Sequence, residues 1–289
     1  MVGRYKKKYF SEKVIKTWIK KKCRFIQSCI YDHSILMNNE VLRWLVPLVR
    51  WFAKMPALQH PLSLAPSSKK DLMLDTGPRP FTVSVEGNVG SGKSTFLKHF
   101  KGLEGVNVIE EPLEKWCNVD GHNLLDKLYK DPKRWSFLFQ SYIQLTRLQI
   151  HLDQTPCRVK IIERSLPNNR YCFVENALDS GAISAAEHTV LAEYYSLMER
   201  RLDIGVDLIV YLRTTPEVVF ERMRQRGRAE EATVPLDYLR RVHRSHERWL
   251  TGPRPAHWPP VLCIDADQEL KDLLALYDKN KERITGGKV

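Results

Sequence analysis

Phe81-Thr82-Val83-Ser84-Val85-Glu86-Gly87-Asn88-Val89-Gly90-Ser91-Gly92-Lys93-Ser94-Thr95 is the stretch that decides the fold of this 289-residue chain. Phe81 to Val85 reads as a short β-branched strand, and Gly87 to Ser94 fits the phosphate-loop pattern G-x-x-x-x-G-K-[ST] without a mismatch. The glycines allow a tight turn that points successive N–H groups at a polyphosphate, and the helix predicted to follow turns its positive end to the same anion. Lys93 is placed to neutralise the outer phosphates and the Ser94 hydroxyl to reach Mg²⁺. Gly87 through Thr95 are therefore expected to hold a nucleoside triphosphate, ATP or another NTP.

Charge is unevenly spread. Residues 1–80 hold 16 Lys or Arg against 5 Asp or Glu, whereas the remainder holds 30 against 29, so nearly all of the formal net charge of +12 lies in the amino-terminal arm. The balanced body gives no reason to expect nucleic acid there. Six cysteines (23, 29, 117, 157, 172 and 263) form no C-x-x-C pair and no zinc spacing, which predicts free thiols in a reducing compartment. No run of about 18 apolar residues occurs, so a membrane span is not expected.

Residues 4–24 are lysine-rich with interleaved aromatics, the pattern of a solvated tail or of a basic patch for nucleic acid or an acidic membrane. In a helix after Met37, Val41, Leu45, Leu48 and Phe52 would share a face and Arg43, Arg50 and Lys54 another. Such a basic, acid-poor amphipathic stretch has the character of a mitochondrial transit peptide, with a cytoplasmic or nuclear arm as the alternative. Residues 56–80 read as a Pro/Ser linker. The expected organisation is thus an extension over 1–76 and a catalytic domain over 77–289.

Along the body, Val106–Ile109 is a second predicted strand, ending in Glu110-Glu111-Pro112 and so leaving a carboxylate at a strand's carboxyl end. Asp131-Pro132 caps a long helix, predicted from about Lys133 to His151, on which Gln140, Ile143 and Arg147 recur at helical spacing. That face suits a flat heterocycle with hydrogen-bonding edges, although such a stripe also serves plain cores. Arg158–Ile162 is a third strand closing in Glu163-Arg164-Ser165, where phosphate-loop proteins place a Mg²⁺ ligand. Helices follow over 170–179 and 186–200, then a strand over 206–212. A helix opened by Pro216 runs into Arg222, Arg224, Arg226 and Arg228 around Gly227, the composition of a lid over a transferring phosphoryl group. A helix over 235–250, a fifth strand over 261–264 and a closing helix over 270–283 complete an α/β fold of phosphate-loop NTPase type. It comprises a five-stranded parallel sheet with helices on both faces and an Arg-rich lid.

Separated motifs, in order, resemble the deoxynucleoside kinases: Glu86-Gly87-Asn88, Glu111-Pro112, Glu114-Lys115-Trp116, Asp131-Pro132, Phe139-Gln140-Ser141-Tyr142, Glu163-Arg164-Ser165, Arg170-Tyr171, Arg226 to Glu231 and His246 to Leu250. The resemblance spans roughly residues 81–267. It implies phosphoryl transfer to the 5′-hydroxyl of a small-molecule deoxynucleoside, with Glu111 as general base and Arg164 holding that carboxylate. Ser94 and Glu163 would hold Mg²⁺, and Lys93, Arg222, Arg226 and Arg228 would surround the migrating group. Tyr129 and Glu231 would bind the sugar 3′-hydroxyl and Gln140 the base edge, while Trp116, Leu125, Phe139, Ile143 and Phe173 enclose the ring. A homodimer is likewise implied by the resemblance.

The chain departs from the thymidine-preferring members at Arg147 and Asn169, where those carry methionine and alanine; deoxycytidine and deoxyguanosine kinases carry arginine and aspartate there. An Arg147–Asn169 pair would bind a base edge and crowd a thymine methyl, so specificity is expected to lean towards deoxycytidine and purine deoxynucleosides; because Asn169 is neutral, the pair would be weaker than Arg–Asp and the pocket broader than in those relatives. Two other readings remain open from sequence. A nucleoside monophosphate kinase would need cations at the acceptor end, where Glu111 stands. A non-catalytic nucleotide-binding protein would dock on nucleic acid through the basic arm.

Overall fold

The computed structural model describes residues 79–289, so the basic arm, the amphipathic segment after Met37 and most of the linker lie outside the described residues. The elements, in chain order, are β1 (Phe81–Glu86), α1 (Lys93–Phe100), β2 (Val106–Ile109), α2 (Leu113–Cys117), α3 (Leu124–Lys130), α4 (Pro132–Leu152), β3 (Val159–Glu163) and α5 (Leu166–Asn168). After a π-helical turn (Asn169–Val174) come α6 (Glu175–Asp179), α7 (Ala185–Arg201), β4 (Leu208–Arg213) and α8 (Pro216–Arg226). A 3₁₀ turn (Ala229–Glu231) leads to α9 (Leu236–Leu250), β5 (Val261–Asp265), α10 (Leu270–Lys279) and α11 (Lys281–Ile284).

All five strands run parallel in the order β2-β3-β1-β4-β5, the expected sheet. Parallel strands are covered on both faces, which is why all of β3 and all but the last residue of β4 are buried without alternation. On one face Val83, Val85, Ile161, Val210 and Leu212 pack with Phe96 and Phe100 of α1 and Tyr277 of α10. The Phe96 ring lies 4.7 Å from Phe100 and 4.8 Å from Tyr277, centroid to centroid. On the other face Ile209 and Tyr211 meet Val242, Trp249 and Leu250 of α9.

Strand register positions the chemistry. Val85 pairs with Glu163 and Ile109 with Ile162, so β1, β2 and β3 end at one edge of the sheet. The loops after them release Gly87, Glu111 and Arg164 side by side, at the carboxyl edge where parallel sheets bind ligands.

The helix starts follow their caps. Asp131 Oδ1 accepts from the Arg134 amide at 3.3 Å with Pro132 in the first turn, and Ser184 and Glu187 form a capping box at the start of α7. Two predicted helices are subdivided. The stretch 170–179 begins as a π-helical turn before α6, a register that has no sequence signature. The closing helix breaks at Asn280, whose side-chain amide donates to the Leu276 carbonyl at 2.8 Å, competing with the helical backbone pattern.

Near the end of α4, buried His151 accepts the Leu166 amide proton on Nε2 at 3.0 Å, tying α4 to α5. Burial, and next the Lys160 ammonium, pull its pKa from 6.5 down to about 3, so the folded ring is neutral. Between those values the unfolded chain binds the extra proton. The contribution is therefore intact above about pH 6.5 and is lost as pH falls. In His151→Gln, where an amide oxygen replaces the accepting nitrogen, the loss of stability between pH 7.5 and 5.5 should be about 1 kcal/mol smaller than in the wild type. Urea unfolding at the two pH values measures the difference; equal losses would remove His151 from the account.

Candidate active site

The phosphate loop joins β1 to α1 with Gly87, Gly90 and Gly92 at φ of 146°, 83° and 92°. Gly87 is the tightest position: a Cβ there would sit 2.8 Å from the Leu212 carbonyl and 2.5 Å from Ser91 Oγ. Lys93, almost wholly buried, donates from Nζ to the Asn88 carbonyl at 2.8 Å and lies 4.0 Å from Glu163 Oε1. Burial, then the field of Arg164, draws its pKa down to about 7 against the pull of Glu163 and Glu111. Ser94 and Thr95 are exposed in the first turn of α1, and Ser91 Oγ is buried with no partner. Asn88 Nδ2 donates to the Leu239 carbonyl at 2.9 Å, fastening the loop to α9.

Glu111 leaves β2 into the same edge. Its carboxylate is held on both oxygens: Arg147 Nη2 donates to Oε1 at 2.7 Å and Arg164 Nη1 to Oε2. Burial pushes the Glu111 carboxyl up, but Arg164, Arg147 and Lys93 together outweigh it and hold it below the usual carboxylate range. Arg164 sits in the left-handed region at φ 57°, rare for a non-glycine residue, and its Nη2 donates to the Gly87 carbonyl at 3.1 Å. One guanidinium thus fastens the carboxylate to the phosphate loop. Phe173 lies beneath both guanidiniums, 5.2 Å from Arg164 and 5.8 Å from Arg147.

A cavity opens from this point. Its walls bring together Val89, Gly90, Lys93, Ser94, Glu111, Trp116, Leu125, Tyr129, Phe139, Gln140, Ile143, Arg147, Glu163, Arg164, Phe173, Arg226, Arg228 and Glu231, most of the residues singled out from sequence. Trp116 Nε1 donates to Thr146 Oγ1 at 3.0 Å and its ring meets Phe139 edge-on, fixing a flat slot beside Gln140. Burial raises the Tyr129 phenol well above its ordinary pKa, so it stays a hydrogen-bond donor. Arg226 and Arg228 both donate to Glu231, at 2.7 and 2.9 Å.

Two expectations are corrected. Arg147 does not pair with Asn169. Its Nη1 donates instead to Asn168 Oδ1 at 3.1 Å and the Ser165 carbonyl at 3.3 Å, because Glu111 and Asn168 offer acceptors nearer the guanidinium, while Asn169 donates to Gln140 Oε1 at 2.5 Å. Arg222 is absent from the cavity wall: its Nη1 donates to the Ala266 carbonyl at 2.9 Å, bracing α8 against the end of β5.

Sequence reading missed Leu113, Leu128 and Tyr238 on the wall, and Glu86 beneath it. Leu128 was within reach of a periodicity argument, being one turn from Leu124 and Leu125 on α3, whereas Tyr238 comes from α9 by tertiary packing alone. Glu86 is fully buried, accepts from the Ser165 amide and hydroxyl at 2.9 and 2.7 Å, and has its pKa raised by burial.

Among the described residues no cluster of three or more acids, histidines or cysteines forms a metal cage. Glu163 and Ser94 line the cavity together with Lys93 of the phosphate loop, a donor set that fits Mg²⁺ held mainly by phosphate oxygens. Burial, then Glu111, raises the pKa of Glu163. The cavity wall carries five cationic side chains against three carboxylates, suited to a polyanion.

Residues 83–285 match the family model described as Deoxynucleoside kinase. The chain is 43% identical over 203 residues to mitochondrial thymidine kinase 2 of Homo sapiens, spanning 70% of this chain and 77% of that protein. It is 40% identical over 193 residues to a probable deoxycytidine kinase of Fowlpox virus (strain NVSL), spanning 66% and 80%. With deoxycytidine kinase of Homo sapiens the identity is 34% over 238 residues, spanning 71% and 92%.

Proposed function

The chain belongs to the deoxynucleoside kinase family and is a deoxynucleoside kinase with a nucleotide phosphate donor; from this premise we propose that Glu111 is its general base and Gly87–Thr95 the seat of ATP. The observation that carries the reading is the buried Glu111 carboxylate, gripped by two guanidiniums between the phosphate loop and the aromatic slot. Held ionised, it accepts the 5′-hydroxyl proton as the 5′-oxygen bonds the γ-phosphorus and the bond from that phosphorus to the departing nucleoside diphosphate breaks, a role in which positioning outweighs intrinsic basicity. A carboxylate also suits a hydroxyl acceptor and repels a phosphate, which disfavours a monophosphate acceptor.

Lys93, Arg164, Arg226 and Arg228 supply positive charge along the path of the phosphoryl group. Ser94 and Glu163 would hold Mg²⁺, which when bound neutralises phosphate charge. Tyr129 and Glu231 face the sugar, and Gln140, steadied by Asn169, faces the base edge. Arg147 still occupies the wall seven residues from Gln140, and its bulk supports a specificity leaning from thymidine towards deoxycytidine and purine deoxynucleosides, while the breadth expected from an Arg147–Asn169 pair loses that support.

The partner we propose is a second copy of this chain. Leu138, Leu145 and Leu152 form an exposed apolar row at seven-residue spacing on α4. Exposed Val190, Tyr194 and Leu197 form another on α7, which Gln144 joins to α4 through the Leu191 carbonyl at 3.1 Å. Two adjacent helices with apolar outer rows suit an isologous four-helix contact. No helix among the described residues is long and apolar enough to cross a membrane. We also propose mitochondrial import, supported by the basic amphipathic arm and by the mitochondrial relative.

In a panel of the four deoxynucleosides, Glu111→Gln should lower kcat by about 10²- to 10⁴-fold with little change in deoxynucleoside affinity. In the same panel, Arg147→Met should lower kcat generally while raising thymidine kcat/KM relative to deoxycytidine; a wild type strongly preferring thymidine would refute the leaning. Leu145→Glu should convert a dimer to a monomer by light scattering, and a monomeric wild type would end the dimer proposal. Finally, a tag fused after residues 1–76 should accumulate in mitochondria, and a diffuse signal would end the import proposal.

A further inference from the structure

Beneath the catalytic carboxylate runs a buried polar chain that the reaction as described does not use. Its first member, His246 on α9, is wholly buried, stacked parallel to Tyr211 at 5.9 Å between centroids and touched edge-on by Phe173 at 6.3 Å. Its Nδ1 lies 2.9 Å from the Val242 carbonyl, which can only accept, so Nδ1 carries the proton and Nε2 is left as an acceptor. Burial drops the pKa of His246 to about 3, which keeps this tautomer neutral at working pH.

Asn168 Nδ2 lies 3.2 Å from that Nε2, and Asn168 is itself 0% exposed. Its amide must therefore turn its NH₂ to His246. At the other end, Arg147 has only donors, so it requires the amide oxygen of Asn168, and Oδ1 lies 3.1 Å from Nη1. The two neighbours impose the same orientation independently. Through Nη2 the same guanidinium holds Glu111 Oε1 at 2.7 Å.

We propose that Asn168, oriented by His246, is a positioning residue that sets Arg147 against the catalytic carboxylate and so fixes the attacking geometry at Glu111. This rests on Glu111 being the base, as proposed above. The chain of contacts assigns adjacent asparagines to different tasks: Asn169 steadies Gln140 on the base side, while Asn168 serves the carboxylate. It also joins Glu111 to α9, the helix to which Asn88 already ties the phosphate loop. Both halves of the reaction are thereby registered against one helix.

The experiment is a double-mutant cycle on the full chain with deoxycytidine and ATP, reading kcat and KM separately. Asn168→Ala should lower kcat about tenfold or more while the deoxynucleoside KM moves less than about threefold. Same-sized Asn168→Asp, whose carboxylate competes with Glu111 for Arg147, should also lower kcat and guards against simple misfolding of the alanine variant. In an Arg147→Ala background both substitutions should change kcat by less than about twofold, because nothing is left to position. Additive losses, a change confined to KM, or an Arg147→Ala enzyme with wild-type kcat would each overturn the proposal. Failure of the base assignment reads differently: Glu111→Gln would then keep its rate, whereas additivity alongside an inactive Glu111→Gln sinks only the role of Asn168.

Discussion

A carboxylate buried to 4% exposure survives as an anion only if its lost hydration is replaced, and the rest of this site is arranged to do so. Glu111 receives one guanidinium on each oxygen, from Arg147 of α4 and from Arg164 at the end of β3. Two cations side by side are unfavourable without the anion, and the Phe173 ring lying under both adds a further fixed contact. Breaking either pair leaves an unmatched buried charge. The carboxylate therefore constrains where β2, β3 and α4 must end or face.

The backbone carries part of that constraint. Arg164 occupies a left-handed conformation at φ 57° while its amide donates to the Val85 carbonyl at 3.0 Å, extending the β1–β3 ladder by one bond. A residue other than glycine in that region stores local strain. Here the turn directs the guanidinium back over β1, where it meets both Glu111 and the Gly87 carbonyl. Glu86 secures the next residue by accepting from the amide and hydroxyl of Ser165. Strand ends that are flush in register would otherwise leave these loops free to diverge.

How much of this could be read from sequence divides along physical lines. The phosphate loop, the parallel sheet and the Gln140, Ile143 and Arg147 face were legible because each depends on local spacing: glycines in a tight turn, β-branched runs, and a 3.6-residue period. Glu111 and Glu163 were legible as acids at strand ends, whereas the hold of Arg164 on Glu111 was legible only through the family resemblance. Which acceptor Arg147 chooses was not legible. Asn168 and Asn169 are adjacent and chemically identical, and only the π-helical turn and α9 packing decide that one meets the guanidinium and the other Gln140. Arg222 was misplaced for a related reason: composition groups it with the other lid arginines, but the end of β5 supplies it with a backbone carbonyl.

Arg226 and Arg228 flank Gly227, which closes α8 in a left-handed cap at φ 66°, and both guanidiniums converge on the buried carboxylate of Glu231. Each remains about one-third exposed, so each has donors to spare beyond that pair. Drawing both away would strand Glu231 without a partner in a wall that already holds Glu111 and Glu163. The pairing with Glu231 satisfies that carboxylate and leaves the outer edges of both guanidiniums open to the cavity. Glu231 thus links the end of α8 to the far wall of the cavity, because one carboxylate orients the two cations and lines the cavity with Tyr129.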